Sequence, residues 1–117
     1  METYNEITYN LVRRELLKNK QTMVFVHSRK DTLGTAKMIL DLAKLKGEEH
    51  FFKAPDSAYR RIEQLKHQPL REICLRGIGI HNAGLLRRDR TIIEGMFLEG
   101  HLRLLVTTAT LAWGYSL

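Results

Sequence analysis

The chain has 117 residues and a mass of 13.6 kDa, room for one small domain or part of a larger one and none for a two-domain motor. Hydrophobic residues at 44% and charged residues at 27% are ordinary globular proportions, which exclude disorder and low-complexity sequence. Lys and Arg outnumber Asp and Glu by 19 to 13, a balance of +6 and a pI near 9.7, so a polyanion is the first partner to consider, with nucleic acid foremost.

Residues 4–17 place Ile7, Leu11, Val12, Glu15 and Leu16 at helical spacing, which predicts an amphipathic helix ending near Asn19. Residues 22–27, TMVFVH, are β-branched and aromatic in the manner of a strand buried on both faces. Helical spacing returns from Asp31 through Leu33, Ala36, Ile39, Leu40 and Ala43, with Asp31 or Thr32 as N-cap and Gly47 as the stop. Residues 50–53 suit a short second strand, after which Pro55 and Pro69 divide a charged stretch into two short helices. GIGIH at 77–81 reads as a strand, residues 89–98 as a helix closing at Gly100, and residues 102–107 as a last strand. Strands alternating with helices predict an α/β fold, a parallel sheet with helices on both faces.

No apolar run approaches the ~20 residues of a membrane span, and no basic region precedes an apolar stretch at the start, so no membrane partner is expected and the setting is intracellular. The single cysteine, Cys74, cannot form an internal disulfide and reads as a buried thiol. The five histidines lack ligand-type spacing, which leaves no metal site to propose. The chain also has no G-x-x-x-x-G-K-[ST] phosphate loop, no G-x-G-x-x-G fingerprint and no H-E-x-x-H helix, so no catalytic residue is assigned.

Ligands of parallel sheets gather beyond the carboxyl ends of the strands, where helix N-termini and free backbone N–H groups converge. That rule selects three loops. The first offers the Ser28 hydroxyl with Arg29 and Lys30, a set that suits a phosphate, although serine also caps helices. The second, HNAGLLRRDR, offers His81, Gly84 for close backbone approach, and Arg87, Arg88 and Arg90 as cations, with Asp89 able to cap the following helix. No carboxylate partner for His81 stands nearby in sequence, and a hydrogen-bonded structural histidine is the plainer reading of it. In the third loop the hydroxyls of Thr107, Thr108 and Thr110 could line a phosphate path that ends at Gly114, while Trp113 reads as packing.

Taken in order, VFVHSRK at 24–30, the stretch at 78–90 within GIGIHNAGLLRRDRTIIEGMF, and LLVTTATLAWG within 104–117 resemble motifs IV, IVa and V of superfamily two DExH helicases. The subgroup most similar is the superkiller-like RNA helicases, whose second RecA-like domain carries VFVHSR, HHAG and TATLAWG strings. The resemblance implies that residues 1–117 are part of a second RecA-like helicase domain, and that the parent is an ATP-dependent RNA helicase. A DNA helicase of the same superfamily and a degenerate helicase-like protein-interaction module are the alternatives. It further implies single-stranded RNA or DNA and a first RecA-like domain as partners, ATP and Mg²⁺ as cofactors of the complete parent with none bound by this stretch alone, and the nucleus ahead of the cytoplasm.

Carried over by position, Ser28 and Thr108 would touch phosphates of the tracking strand, with Thr110 beside them and Arg29 assisting electrostatically. His81, Ala83 and Gly84 would shape the turn that supports the strand, and Gly114 would face the nucleotide. The sequence departs from the family pattern in having Asn82 where HHAG has His, and Gly114, Tyr115, Ser116 and Leu117 where the family continues GVNLPA. The phosphate loop, the DExH acid and the arginine finger of motif VI do not occur in these residues, so they are expected to hydrolyse no ATP alone. With motif V last, the final strand is expected at an unprotected sheet edge, a surface that could pair with a second copy as an edge-strand dimer.

Overall fold

The computed structural model describes residues 1–108. Helix α1 (Tyr4–Leu17) opens on a capping box in which Thr3 Oγ1 accepts the Glu6 N–H at 3.1 Å while the Thr3 N–H reaches the Glu6 carboxylate at 3.3 Å. It ends before Asn19, whose φ of 59° turns the chain away. Its buried stripe is Tyr9, Val12 and Leu16, so Ile7 and Leu11 face solvent although their spacing matched the helix. Strand β1 (Thr22–Val26) leads into α2 (Arg29–Lys46), which stops at the left-handed Gly47, φ 69°. The N-cap of α2 is Ser28 rather than Asp31 or Thr32, since the Ser28 hydroxyl accepts the Asp31 N–H at 3.2 Å.

Residues 50–53 do not form the short strand predicted for them; the segment is a 3₁₀ turn, Glu49–Phe51. The cause is a tertiary tether. The Glu48 carboxylate accepts the Tyr9 hydroxyl at 2.7 Å and Arg13 Nε at 2.6 Å, which draws the chain onto α1 and seats Phe52 with its ring centroid 6.3 Å from that of Tyr9. Burial alone would raise the Glu48 carboxyl, but the hydrogen bonds from Tyr9 and Arg13 outweigh it and hold the group below the usual carboxylate range. Burial, reinforced by the same carboxylate, pushes the Tyr9 hydroxyl up. A carboxyl held low in the folded state contributes stability above its unfolded pKa of ~4.3 and loses it as pH falls through the lower folded value. Glu48→Gln should therefore lower the urea midpoint at neutral pH and flatten its acid-side decline below about pH 4.3. Parallel midpoint-versus-pH curves for variant and wild type would refute this.

A second 3₁₀ turn (Asp56–Ala58) and the short helices α3 (Tyr59–Glu63) and α4 (Gln68–Leu75) occupy the charged stretch, with Pro69 in the first turn of α4. Strand β2 (Ile78–His81), helix α5 (Arg87–Leu98) and strand β3 (Leu104–Thr108) complete the described chain. Cys74 is buried in α4, where desolvation pushes its thiol up and the Asp89 charge adds to the effect, the inert state read from the sequence.

The three strands are parallel in the order β1-β3-β2. The chain crosses from β1 to the far side of the sheet and then returns to the middle. Right-handed crossovers in opposite directions put their helices on opposite faces, which yields the layered α/β arrangement expected. Helix α5 lies on the face of Gly79, where an added Cβ would stand 3.2 Å from Ile93 Cγ2, and α2 packs on the other face against all three strands. The core centres on β3, whose Leu104, Leu105 and Val106 are fully buried. The last strand is thus central, not the exposed edge expected from its position, because both its flanks are hydrogen-bonded. Among the described residues the sheet edges are β1, where Phe25 is 53% exposed, and β2, which is buried throughout.

Candidate nucleic-acid interface

Parallel register brings the loops after β1 and β2 to the same end of the sheet as Thr108, the first residue of the third selected loop. Val26 pairs with Thr108, and His81 with Thr107, so β1, β2 and β3 finish at the same level and the residues that follow β1 and β2 stand near the tip of β3. His27, Ser28, Arg29 and Lys30 are all exposed there, at the N-terminus of the long helix α2. Ser28 keeps its capping hydrogen bond while remaining open to solvent. Thr108 is half-buried at the tip of β3, and the Thr107 hydroxyl, itself buried, donates to the Thr108 carbonyl at 3.1 Å. Thr110, Trp113 and Gly114 lie outside the described residues.

The loop after β2 is built from buried polar contacts. Asn82 Oδ1 accepts the Gly84 N–H at 2.9 Å, and the Leu85 N–H donates to the Asn82 carbonyl at 3.3 Å, which folds residues 82–85 into a tight turn. Gly84 is exposed and covered by Arg29, whose Cδ and Nη1 stand 3.0 and 3.1 Å from where a Cβ would be. The structure therefore joins Arg29 of the first loop to Gly84 of the second. Arg87 and Arg88 are exposed at the start of α5, next to this turn, and Arg90 is half-buried.

His81 is not at the surface. It is 1% exposed, and its Nε2 lies 2.6 Å from Glu94 Oε2 on α5, a carboxylate thirteen residues downstream that sequence inspection missed. The ring lies beneath the turn, between β2 and α5. Nor does Asp89 cap α5, which begins earlier, at Arg87, behind Leu86 with no side-chain cap. Its carboxylate is fully buried and accepts the backbone N–H groups of Lys66 at 2.9 Å and His67 at 3.2 Å, fastening the loop before α4 against the start of α5. Between them lies a recess of about 240 Å³ lined by Lys66, His67, Gly84, Leu85, Leu86 and Asp89. Lys66 and His67 join the basic rim as residues that sequence reasoning did not select, since nothing local ties them to a strand end.

The resulting surface carries exposed cations on several elements around a hydroxyl and a glycine turn, an arrangement that suits a sugar-phosphate backbone. Among the described residues no group of three or more His, Cys, Asp or Glu side chains could hold a metal ion, and no helix is long and apolar enough to cross a membrane.

A scan against protein-family models finds no match. Individual proteins do match, over nearly the whole chain. It is 41% identical over 117 residues to activating signal cointegrator 1 complex subunit 3 of Danio rerio, covering 96% of this chain and 8% of that protein. It is 40% identical to the protein of the same name in Dictyostelium discoideum, covering 97% of the chain and 5% of the relative. Against the human U5 small nuclear ribonucleoprotein 200 kDa helicase it is 42% identical over 118 residues, covering 97% of the chain and 6% of the relative. The chain belongs to the superkiller-like DExH helicases. This helicase segment thus spans less than a tenth of the length of these relatives, and its α/β sheet is that of part of a RecA-like domain.

Proposed function

We propose that these residues form part of the second RecA-like domain of an ATP-dependent RNA helicase, and that the carboxyl-end loops are a section of its path for single-stranded RNA. The observation that carries this reading is the junction of Arg29 with the Gly84 turn at the level where the parallel strands end, within a sequence 42% identical to a helicase. Ser28 and Thr108 contact phosphates of the tracking strand. Arg29 supplies charge-assisted attraction, and the turn at His81, Ala83 and Gly84 supports the strand. Thr110 continues the path, and Gly114 belongs to the edge of the nucleotide site.

The residues present do not fit a Mg²⁺–ATP site by themselves. The chain has no phosphate loop, and no carboxylate cluster forms among the described residues. ATP hydrolysis belongs to the complete parent, with its first RecA-like domain, and the setting proposed for such a parent is the nucleus ahead of the cytoplasm.

The test is fluorescence anisotropy with a labelled single-stranded RNA over a salt series, comparing wild type with Ser28→Ala and Thr108→Ala. Each substitution is expected to weaken binding by about 1.5 kcal/mol, roughly tenfold, the lower end of the scale for one hydrogen bond to a charged partner. Affinity should fall steeply with salt in every protein. Salt-sensitive binding that ignores both substitutions would reject this strand path and leave the +6 charge as its only cause.

A further inference from the structure

We propose that Thr32 and Asn82 are positioning residues for the strand, locking the loop after β1 to the loop after β2 so that Arg29 is presented in one place. The proposal rests on the strand path above and adds two residues to it that need not touch RNA.

Asn82 is 5% exposed and Thr32 is fully buried, on different elements fifty residues apart. The Gly84 N–H donates to Asn82 Oδ1 at 2.9 Å, Asn82 Nδ2 donates to Thr32 Oγ1 at 3.0 Å, and the Thr32 hydroxyl donates to the Arg29 carbonyl at 2.6 Å. The polarity of this relay is forced from both ends. A backbone N–H can only donate and a carbonyl can only accept, so the amide of Asn82 has one orientation and the hydroxyl of Thr32 one rotor position. Burial removes competing water from the central Asn82–Thr32 link and strengthens it.

The relay holds the backbone of Arg29, and its side chain lies against Gly84, the residue whose N–H starts the relay. Capping is not its purpose, because Ser28 already serves as the N-cap of α2. A cation so held loses less rotamer freedom when it meets a phosphate than one swinging in solvent. It follows that the contribution of Arg29 to RNA binding depends on Thr32 and Asn82.

A double-mutant cycle on the full chain tests this, with anisotropy of a labelled oligouridylate as the readout and Arg29→Ala, Thr32→Val and their combination as the variants. Arg29→Ala and Thr32→Val should each weaken binding by about threefold or more, and the double variant should be no weaker than Arg29→Ala alone. Thr32→Ser, which keeps the hydroxyl, should restore wild-type affinity. Losses that multiply in the double variant, or Thr32→Val binding as wild type does, would overturn the proposal while leaving the strand path intact. Arg29→Ala without effect would remove the strand path itself, and the proposal with it. Where Thr32→Val does not fold, Asn82→Asp takes its place; it keeps the acceptor for Gly84 and loses the donor to Thr32, and its coupling to Arg29 is read in the same way.

Discussion

Gly77→Ala is expected to unfold the domain at room temperature or bring it close to that point. Gly77 has φ 86°, a conformation that costs an L-residue about 1–2 kcal/mol, and an added Cβ would stand 1.4 Å from the carbonyl oxygen of Phe52. That neighbour is backbone and cannot rotate aside. Phe52 is itself 1% exposed and held through Tyr9 and Glu48 to α1, while the Gly77 carbonyl accepts the N–H groups of Arg103 and Leu104 at the start of β3. Relief of the clash therefore has to displace either the α1 contact or the root of the central strand. A loss above about 4 kcal/mol is a large share of the 5–15 kcal/mol that stabilises such a domain. Gly100→Ala is the control, because Gly100 has a similar φ of 83° with open space around its would-be Cβ, and it should lose only the conformational cost. Equal losses of urea stability in the two variants would show that the Phe52 collision is not what matters.

Glu94→Ala is expected to cost about 3–5 kcal/mol, the scale for breaking a buried pair by removing one partner. The His81 and Glu94 side chains are 1% and 3% exposed, so water has little access to the imidazole once the carboxylate is gone. The pair ties β2 to α5 directly below the Gly84 turn, and loosening it should weaken RNA binding as well as stability. Replacing both residues by leucine should recover part of the loss, since neither is then left as a buried polar group facing a truncated partner. Urea denaturation of the single and double variants reads both effects; a Glu94→Ala protein within 1 kcal/mol of wild type would refute the assignment.

Local chemistry made much of this fold legible in the sequence. The β-branched run at 22–27 and the apolar run at 102–107 each held a strand, and Gly47 and Gly100 marked helix ends because a left-handed turn there suits glycine. What failed was decided by distant partners. Residues 50–53 have the aromatics of a strand, but Glu48 draws them to Tyr9 and Arg13 on another helix. Asp89 had the residue type and position of a cap, yet its carboxylate serves a loop more than twenty residues earlier.

The site divides in the same way. Ser28, Arg29 and Gly84 could be selected because each follows a strand end, and the structure brings Arg29 and Gly84 together. Thr32 with Asn82, and His81 with Glu94, are pairs with no periodic or motif signal to link them, so only the folded chain reveals that the turn is held from below and from the side.

The strand order also has a consequence for synthesis. Every strand pairing in the described sheet involves β3, and Thr22 must wait for Leu104. A nascent chain that has not yet released residues 104–108 from the ribosome holds β1 and β2 with no partner for either. The described strands can pair only once β3 is available, which leaves the exposed β1 of the growing polypeptide unpaired until that moment.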